Sequence, residues 1–419
     1  MNRITEVFVD LAGQPRYVGK LWSRVKGGRE SASFRYDEDW LRSPERFALE
    51  PLLTLDPGTH HTPMDRSVFG AIGDSAPDRW GRILMTRLEN KLAEEEQRAP
   101  RTLLEIDYLL MVNDTVRQGA LRFRDEQGHA FLASAPGTAS IPPLVDLPRL
   151  MGATDNVLND TETAEDLKLL LAPGSSLGGA RPKSAVLDRD GRLLIAKFPR
   201  KDDDHQVEGW SHLAMNLARR GGISTAGSRL VTIADRKVHL LERFDRDHDR
   251  RIPYLSAMSM LGAKDKEFRS YLETADAIRQ HGINVNGDLE ELWRRILFSV
   301  LICNTDDHLR NHGFLYDVDR RGWRISPAFD LNPMIDTPRY LSVAINEQDS
   351  QLSFDLVLSV GAYFGLDAAA MRRIVGEVFA AVSGWRREAD RLGIARAEID
   401  RMASAFQHEA YADAQRYVA

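Results

Sequence analysis

An apolar run that breaks off into a dense polar loop constrains this chain more than any other stretch. Leu289 to Cys303 reads as a buried helix, and it delivers the chain directly into Asn304-Thr305-Asp306-Asp307-His308-Leu309-Arg310-Asn311. Asp306 and Asn311 have the separation found in phosphoryl-transfer loops. There the aspartate takes or orients a hydroxyl proton and the asparagine holds magnesium. His312-Gly313-Phe314-Leu315-Tyr316, a turn from Asp317 to Gly322, and Trp323-Arg324-Ile325-Ser326 then read as a short hairpin, followed by Pro327-Ala328-Phe329-Asp330. Such a hairpin can return Asp330 to the loop, so that it and Asn311 offer two oxygen ligands to one hard cation. Each residue alone reads as a hydrogen-bonded turn; together they point to a phosphotransferase of the protein-kinase-like class.

The nucleotide half of such a site lies upstream. Pro173-Gly174-Ser175-Ser176-Leu177-Gly178-Gly179-Ala180 places Gly174, Gly178 and Gly179 where backbone N–H groups could approach phosphate oxygens unobstructed. It is not the phosphate loop of nucleotide hydrolases, because Ala180 stands where that loop needs lysine. The segment opens instead onto a hairpin, Lys183 to Leu187 and Arg192 to Phe198, whose second strand carries Lys197 in the position of a kinase ATP lysine. Considered alone, Lys197 is a snorkelling strand lysine. Glu208, near the start of the next helix, is a candidate to orient it, or a carboxylate favoured there by the helix dipole. Leu240-Leu241-Glu242-Arg243-Phe244-Asp245 ends an apolar strand where a hinge is expected. The Glu242 carbonyl and the Phe244 N–H are adenine-binding candidates, with ordinary strand termination as the alternative.

Strand-like alternation at Val7 to Leu11, Tyr17 to Leu21 and Ala32 to Tyr36 predicts a small antiparallel sheet. Helices are expected from Asp78 to Glu95 and from Leu103 to Met111, and a hairpin over residues 120–133 turning at Asp125 to Gly128. The prolines and glycine of 134–143 mark a linker. The expected organisation is an N-terminal α+β subdomain at 1–140, a strand-rich kinase lobe with the glycine-rich loop at 141–245, and a mostly helical lobe with the catalytic loop at 246–419. The fold class is α+β, two-lobed and protein-kinase-like.

Composition narrows the alternatives. The chain has 419 residues, 43% hydrophobic and 28% charged, and a net charge of −6, which argues against a chain whose main work is neutralising nucleic-acid phosphates. No run reaches the length of a membrane span, and nothing resembling a secretory signal follows Met1. Cys303 is the only cysteine, so no intrachain disulfide can form and a reducing cytoplasm is expected. Cys303 reads as a small core residue, and the adjacent His60 and His61 carry no metal-binding pattern.

The motifs Gly178-Gly179-Ala180-Arg181-Pro182-Lys183, Glu242-Arg243-Phe244-Asp245-Arg246, Asn304 to Asn311 and Ser326-Pro327-Ala328-Phe329-Asp330 resemble those of the HipA family of bacterial serine/threonine kinases, as does Pro77-Asp78-Arg79-Trp80-Gly81-Arg82. The resemblance implies Asp306 as catalytic base, Asn311 and Asp330 as magnesium ligands, and Lys197 and His308 near the ATP phosphates. It also implies a toxin held by a DNA-binding helix-turn-helix antitoxin of the HipB type, with DNA reached only through that partner and no membrane. The acceptor would be a cytoplasmic protein, a translation component such as an aminoacyl-tRNA synthetase. Autophosphorylation at Ser176, with Ser175 as competitor, would switch the enzyme off, since a phosphoserine cannot share the place of ATP phosphates. His-Arg-Asp and Ala-Pro-Glu are absent and Asp330 is followed by Leu331-Asn332, so eukaryotic activation-loop logic does not transfer. A small-molecule or lipid kinase, or a non-catalytic member of an antitoxin–DNA assembly, are the competing functions.

Overall fold

The structure, a computed structural model, describes residues 2–133, 141–172, 179–248, 250–335 and 338–419. It divides into two compact units. The first comprises residues up to Lys201 with Thr232–Leu255 and Leu315–Arg321; the second comprises Asp202–Val231, Ser256–Phe314 and Gly322–Ala419.

The first unit begins with strands β1 (Asn2–Leu11), β2 (Gln14–Lys26), β3 (Arg29–Tyr36), β4 (His60–His61) and β5 (Leu121–Asp125), in the order β4-β3-β2-β1-β5. All pairings are antiparallel. Alternation works as expected: Val7, Leu21 and Phe34 are fully buried on one face, while Arg24, Lys26, Arg29 and Arg35 are exposed on the other. Gly27 and Gly28, both at positive φ (59° and 76°), close the two-residue turn between β2 and β3. Only the first strand of the hairpin expected over 120–133 forms among the described residues. Its return keeps one backbone bond, from the Leu132 N–H to the Phe123 carbonyl at 2.8 Å, and makes ring contacts: Phe131 meets Phe8 edge-on at 5.3 Å, and the Arg122 guanidinium lies 3.7 Å from the Phe131 ring centroid.

The expected helix at 78–95 spans Arg79–Glu95, with the Asp78 side chain accepting the Gly81 N–H at 2.8 Å as its N-cap. A buried ionic cluster then links sequence-distant parts of this unit. Arg243 donates to both Asp245 oxygens (2.6 and 2.5 Å) and to the Val116 carbonyl (2.9 Å). Asp245 also accepts the Gly119 N–H at 2.7 Å, and Arg246 donates to Asp245 and to the Arg117 carbonyl. Burial opposes the Asp245 charge, but Arg243 and Arg246 outweigh it and hold the carboxyl well below its ordinary value. The wholly buried Arg117 itself donates to the carbonyls of Ser75, Leu109 and Val112.

Strands β6 (Lys183–Leu187) and β7 (Leu193–Lys197) form the expected hairpin. The chain returns from the second unit along β8 (Ser228–Ile233) into β9 (Arg236–Glu242), which pairs antiparallel with β7.

The second unit is mainly helical. Its core holds Trp210, Trp385 and Phe406, the last two stacked at 4.5 Å, and Trp293, whose indole N–H donates to the Val357 carbonyl at 3.0 Å. The helix expected at 289–303 runs from Val285 to Leu301. Its first turn carries a side-chain bond from Asn284 to Asp288 at 3.1 Å, and it stops in a Schellman motif. In that motif the Asn304 N–H bonds the Ser299 carbonyl at 2.8 Å, the Cys303 N–H bonds that of Val300 at 3.3 Å, and Cys303 takes the left-handed φ of 51°. A cysteine in this conformation costs about 1–2 kcal/mol relative to glycine.

One buried acid gives this fold a pH dependence. Glu50 is 2% exposed, accepts the Ala71 N–H at 2.5 Å, and is pushed up to about 7 by burial and secondarily by Asp74, against the opposing backbone bonds and Arg66. Its folded value exceeds its unfolded one, so its contribution is complete below the ordinary glutamate range and is lost as pH rises to about 7. We expect urea midpoints to fall between pH 5 and pH 8, by up to about 3 kcal/mol of unfolding free energy from this group. Glu50→Gln should remove that fall and be the more stable form at pH 8; parallel pH profiles for variant and wild type would refute it.

Candidate functional site

The second unit builds an acidic loop on a buried support. After the Schellman turn, Asn304 is 1% exposed; its side-chain amide donates to Ser299 Oγ at 3.3 Å and its Oδ1 accepts the Asn332 N–H at 3.3 Å. The Met334 N–H donates to the Cys303 carbonyl at 3.1 Å. These bonds fix the segment after Asp330 against the segment before Asp306. Asp330 sits at a left-handed φ of 57°, and its Oδ1 accepts from the Asn332 side chain at 3.3 Å. Between the two segments runs the expected hairpin, Gly313–Asp317 and Gly322–Ile325, closed at its base by the Ser326 N–H on the Gly313 carbonyl (2.7 Å).

Two adjacent aspartates are driven in opposite directions. Asp307 is 2% exposed, and its Oδ2 accepts the Tyr271 hydroxyl at 2.6 Å and the Ser299 hydroxyl at 3.1 Å. His312 Nε2 stands 3.0 Å from its other oxygen. Burial favours the neutral acid, but His312, Tyr271 and Ser299 together hold the carboxyl below its usual range, so it is ionised at neutral pH. Asp306 reaches solvent, yet desolvation by the surrounding protein raises it. His308 opposes that rise, while the nearby charges of Asp330 and Asp307 add to it. Asp306 and Asp330 are therefore close enough to repel. A divalent cation would relieve that repulsion.

The remaining ligand candidate is also oriented. Asn311 is 6% exposed, and its amide N–H donates to the Asp306 carbonyl at 3.2 Å. That bond orients the amide and leaves Oδ1 as an oxygen ligand. Among the described residues no group of three or more His, Cys, Asp or Glu side chains is arranged to hold a metal. Magnesium at a phosphate site needs fewer, since it takes one or two protein oxygens plus phosphates and water. The His308 N–H caps the turn on the Asp306 carbonyl at 2.8 Å, and its Nδ1 is buried without a hydrogen bond among the described residues. Cys303 is fully buried beside Arg339, and burial pushes its thiol up to about 11, against the pull of that guanidinium.

In the first unit, Gly179 has a φ of 102° and its carbonyl accepts from Lys183 Nζ at 3.2 Å. The same ammonium forms a buried ion pair with Asp78, and the Trp80 indole donates to the Lys183 carbonyl at 3.1 Å. One end of the glycine-rich segment is thus tied to the first turn of the Arg79–Glu95 helix. Ser175, Ser176 and Gly178 lie outside the described residues. Lys197, half-buried on β7, stands opposite Lys183 on β6 and His239 on β9. Glu242 ends β9 exposed, and Phe244 lies between the two arginines of the ionic cluster. Glu208, 2% exposed, occupies the first turn of the Val207–Arg220 helix in the second unit.

Sequence reasoning did not single out Asn304, Tyr271, Asn332 or Lys183 as site residues, and it passed over Asp307. The Asp307 carboxylate was on view beside Asp306; its two hydroxyl donors, Tyr271 and Ser299, and its charge partner His312 are assembled only by the fold.

A sheet-rich unit with a strand lysine, and a helical unit whose acidic loop and Asp330 segment present two aspartates and an amide, define an α+β fold of the two-lobed protein-kinase-like kind. The chain belongs to the HipA family: the HipA-like C-terminal domain matches residues 175–385. A Haemophilus influenzae protein provisionally named a kinase is 24% identical over 235 residues, 48% of this chain and 68% of that protein. The HipA of Shewanella oneidensis MR-1, solved with HipB and operator DNA, superposes with a TM-score of 0.64 at 15% identity, covering 100% of this chain and 97% of that one. A Helicobacter pylori proinflammatory kinase, CtkA, gives a TM-score of 0.44 at 13% identity over 56% of this chain and 94% of that one.

The support under the loop can be tested without an activity. Tyr271→Phe keeps the ring and removes one donor from the buried Asp307 carboxylate, which should lower the unfolding free energy by about 1–3 kcal/mol. The measurement is the urea midpoint at pH 7; a midpoint equal to wild type would mean that Asp307 does not need this hydroxyl.

Proposed function

We propose that this chain is an ATP- and magnesium-dependent protein serine/threonine kinase and the toxin of a toxin–antitoxin pair. The observation that carries the reading is the pairing of a raised, solvent-reaching Asp306 with Asp330 on a loop held rigid from below. An acid whose affinity for protons is increased, and which reaches solvent, is suited to take or orient the proton of an incoming hydroxyl.

In this reading Asp306 positions the acceptor serine or threonine and receives its proton. Asn311 Oδ1 and the Asp330 carboxylate hold the cation, and Lys197 and His308 face the nucleotide phosphates. ATP with magnesium supplies the transferable phosphoryl group and most of the charge neutralisation. The glycine-rich segment, anchored by Lys183, carries Ser176 and Ser175 as autophosphorylation candidates, and Glu242 and Phe244 offer backbone groups to adenine. Glu208 remains the candidate to orient Lys197. Functionally, residues 141–245 are assigned to nucleotide binding, 246–419 to phosphoryl transfer, and 1–140 to an accessory subdomain. By analogy with the Shewanella complex, the partner is a HipB-like antitoxin that carries the DNA contact. The acceptor is a cytoplasmic protein, with a translation component such as an aminoacyl-tRNA synthetase as first choice. No helix among the described residues is long and apolar enough to cross a membrane.

Purified chain with γ-labelled ATP and magnesium should label itself and a protein in lysate. Asp306→Asn and Asp330→Asn should each lose at least about 100-fold in rate while keeping their urea midpoints. Full labelling by either variant, or label found only in a trypsin-resistant small molecule, would refute the reading. Phosphopeptide mass spectrometry should place self-label at Ser176 or Ser175.

A further inference from the structure

The outer face of the β2–β3 hairpin concentrates positive charge in a chain whose net charge is −6. Alternation turns Lys20, Trp22, Arg24 and Lys26 of β2 to the same side as Arg29, Ser31, Ser33 and Arg35 of β3, with Trp22 opposite Ser33, Arg24 opposite Ser31 and Lys26 opposite Arg29. Ile4 and Glu6 of β1 continue that face, opposite Trp22 and Lys20. Its carboxylates are already engaged: Glu6 accepts from Arg124 at 2.8 Å and Glu126 from Lys20 at 2.7 Å. Glu30 points to the other side, where it accepts the N–H groups of Glu105 and Ile106. Arg24, Lys26, Arg29 and Arg35 are exposed and make no ion pair among the described residues.

Alternate residues along a strand are about 7 Å apart, so these cations form a two-row array rather than a point charge. The indole of Trp22 lies in the middle of that array, half-buried, with the Arg35 guanidinium 5.9 Å from its ring centroid. Cations alone would suit any polyanion. Cations flanking an accessible aromatic and an arginine plane suit a polyanion that also carries flat bases.

We propose that this face binds single-stranded nucleic acid, with Arg24, Lys26, Arg29 and Arg35 on the phosphates and Trp22 and Arg35 as the stacking platform. The proposal concerns the first unit alone and does not depend on the kinase reading. It adds a direct nucleic-acid contact to a family reading in which DNA is reached only through the antitoxin.

The test is fluorescence anisotropy of the full chain with a labelled 20-nucleotide oligouridylate. Four phosphate contacts predict a slope of about −3 for log affinity against log salt. Arg24→Glu with Lys26→Glu should weaken binding at least tenfold and flatten that slope. Trp22→Ala should weaken it about fivefold or more with the slope kept. Arg396→Glu, an exposed arginine on the Arg396–Arg401 helix of the second unit, should change nothing. All substituted groups are exposed or half-buried, and thermal melts check that the variants fold. No binding at 50 mM salt, unchanged affinity of the double variant, or stronger binding to duplex DNA, polyglutamate or anionic vesicles would each overturn the proposal.

Discussion

The acidic loop depends on one buried charge. Asp307 has almost no contact with water and would be costly as an isolated carboxylate. It is tolerated because a tyrosine from one helix, a serine from another and a histidine from the hairpin segment converge on it. Ser299 matters twice, since its hydroxyl also accepts from Asn304, whose Oδ1 reaches the chain beyond Asp330. A single hydroxyl thus couples the support of the loop to the placement of the second aspartate.

This arrangement separates two chemically identical neighbours. Asp307, enclosed and surrounded by donors, keeps its negative charge. Asp306, one residue on the other side of the peptide, meets solvent with few donors and a second carboxylate nearby, and its affinity for protons rises. The alternating direction of adjacent side chains in this tight turn is what assigns one to structure and the other to chemistry. Asp330 is presented in a left-handed backbone conformation that aspartate tolerates better than most residues.

Much of this was legible in the sequence because it rests on local pattern. The β6–β7 hairpin, the Arg79–Glu95 helix and the helix leading into the loop follow from periodicity, turn residues and a capping aspartate, and each lies within a few residues of expectation. The return after Leu121–Asp125 is reduced to one backbone bond, from Leu132 to Phe123, beside the packing of Phe131 on Phe8. The role of Arg243 and Asp245 was also hidden. Both stood inside a motif read for its hinge, whereas their hydrogen bonds run to Val116 and Gly119, more than a hundred residues earlier. Three partners converging on Asp307, from positions 271, 299 and 312, leave no spacing to read.

That Arg243–Asp245 connection bears on modularity. Residues 116–119 and 243–246 share one set of buried charges, with a carbonyl or N–H from the first segment completing each group of the second. The dependence runs one way: Arg117 is satisfied by the carbonyls of Ser75, Leu109 and Val112, whereas the Arg243–Asp245–Arg246 group draws on the backbone of 116–119. The N-terminal 130 or so residues therefore supply backbone groups that the 243–246 segment uses to keep its charges buried. If the polypeptide were cut in the stretch between them, the piece carrying Arg243 and Arg246 would have to meet the other again before it could bury those arginines against the carbonyls of 116–117, and reassembly would behave as a binding equilibrium between two fragments.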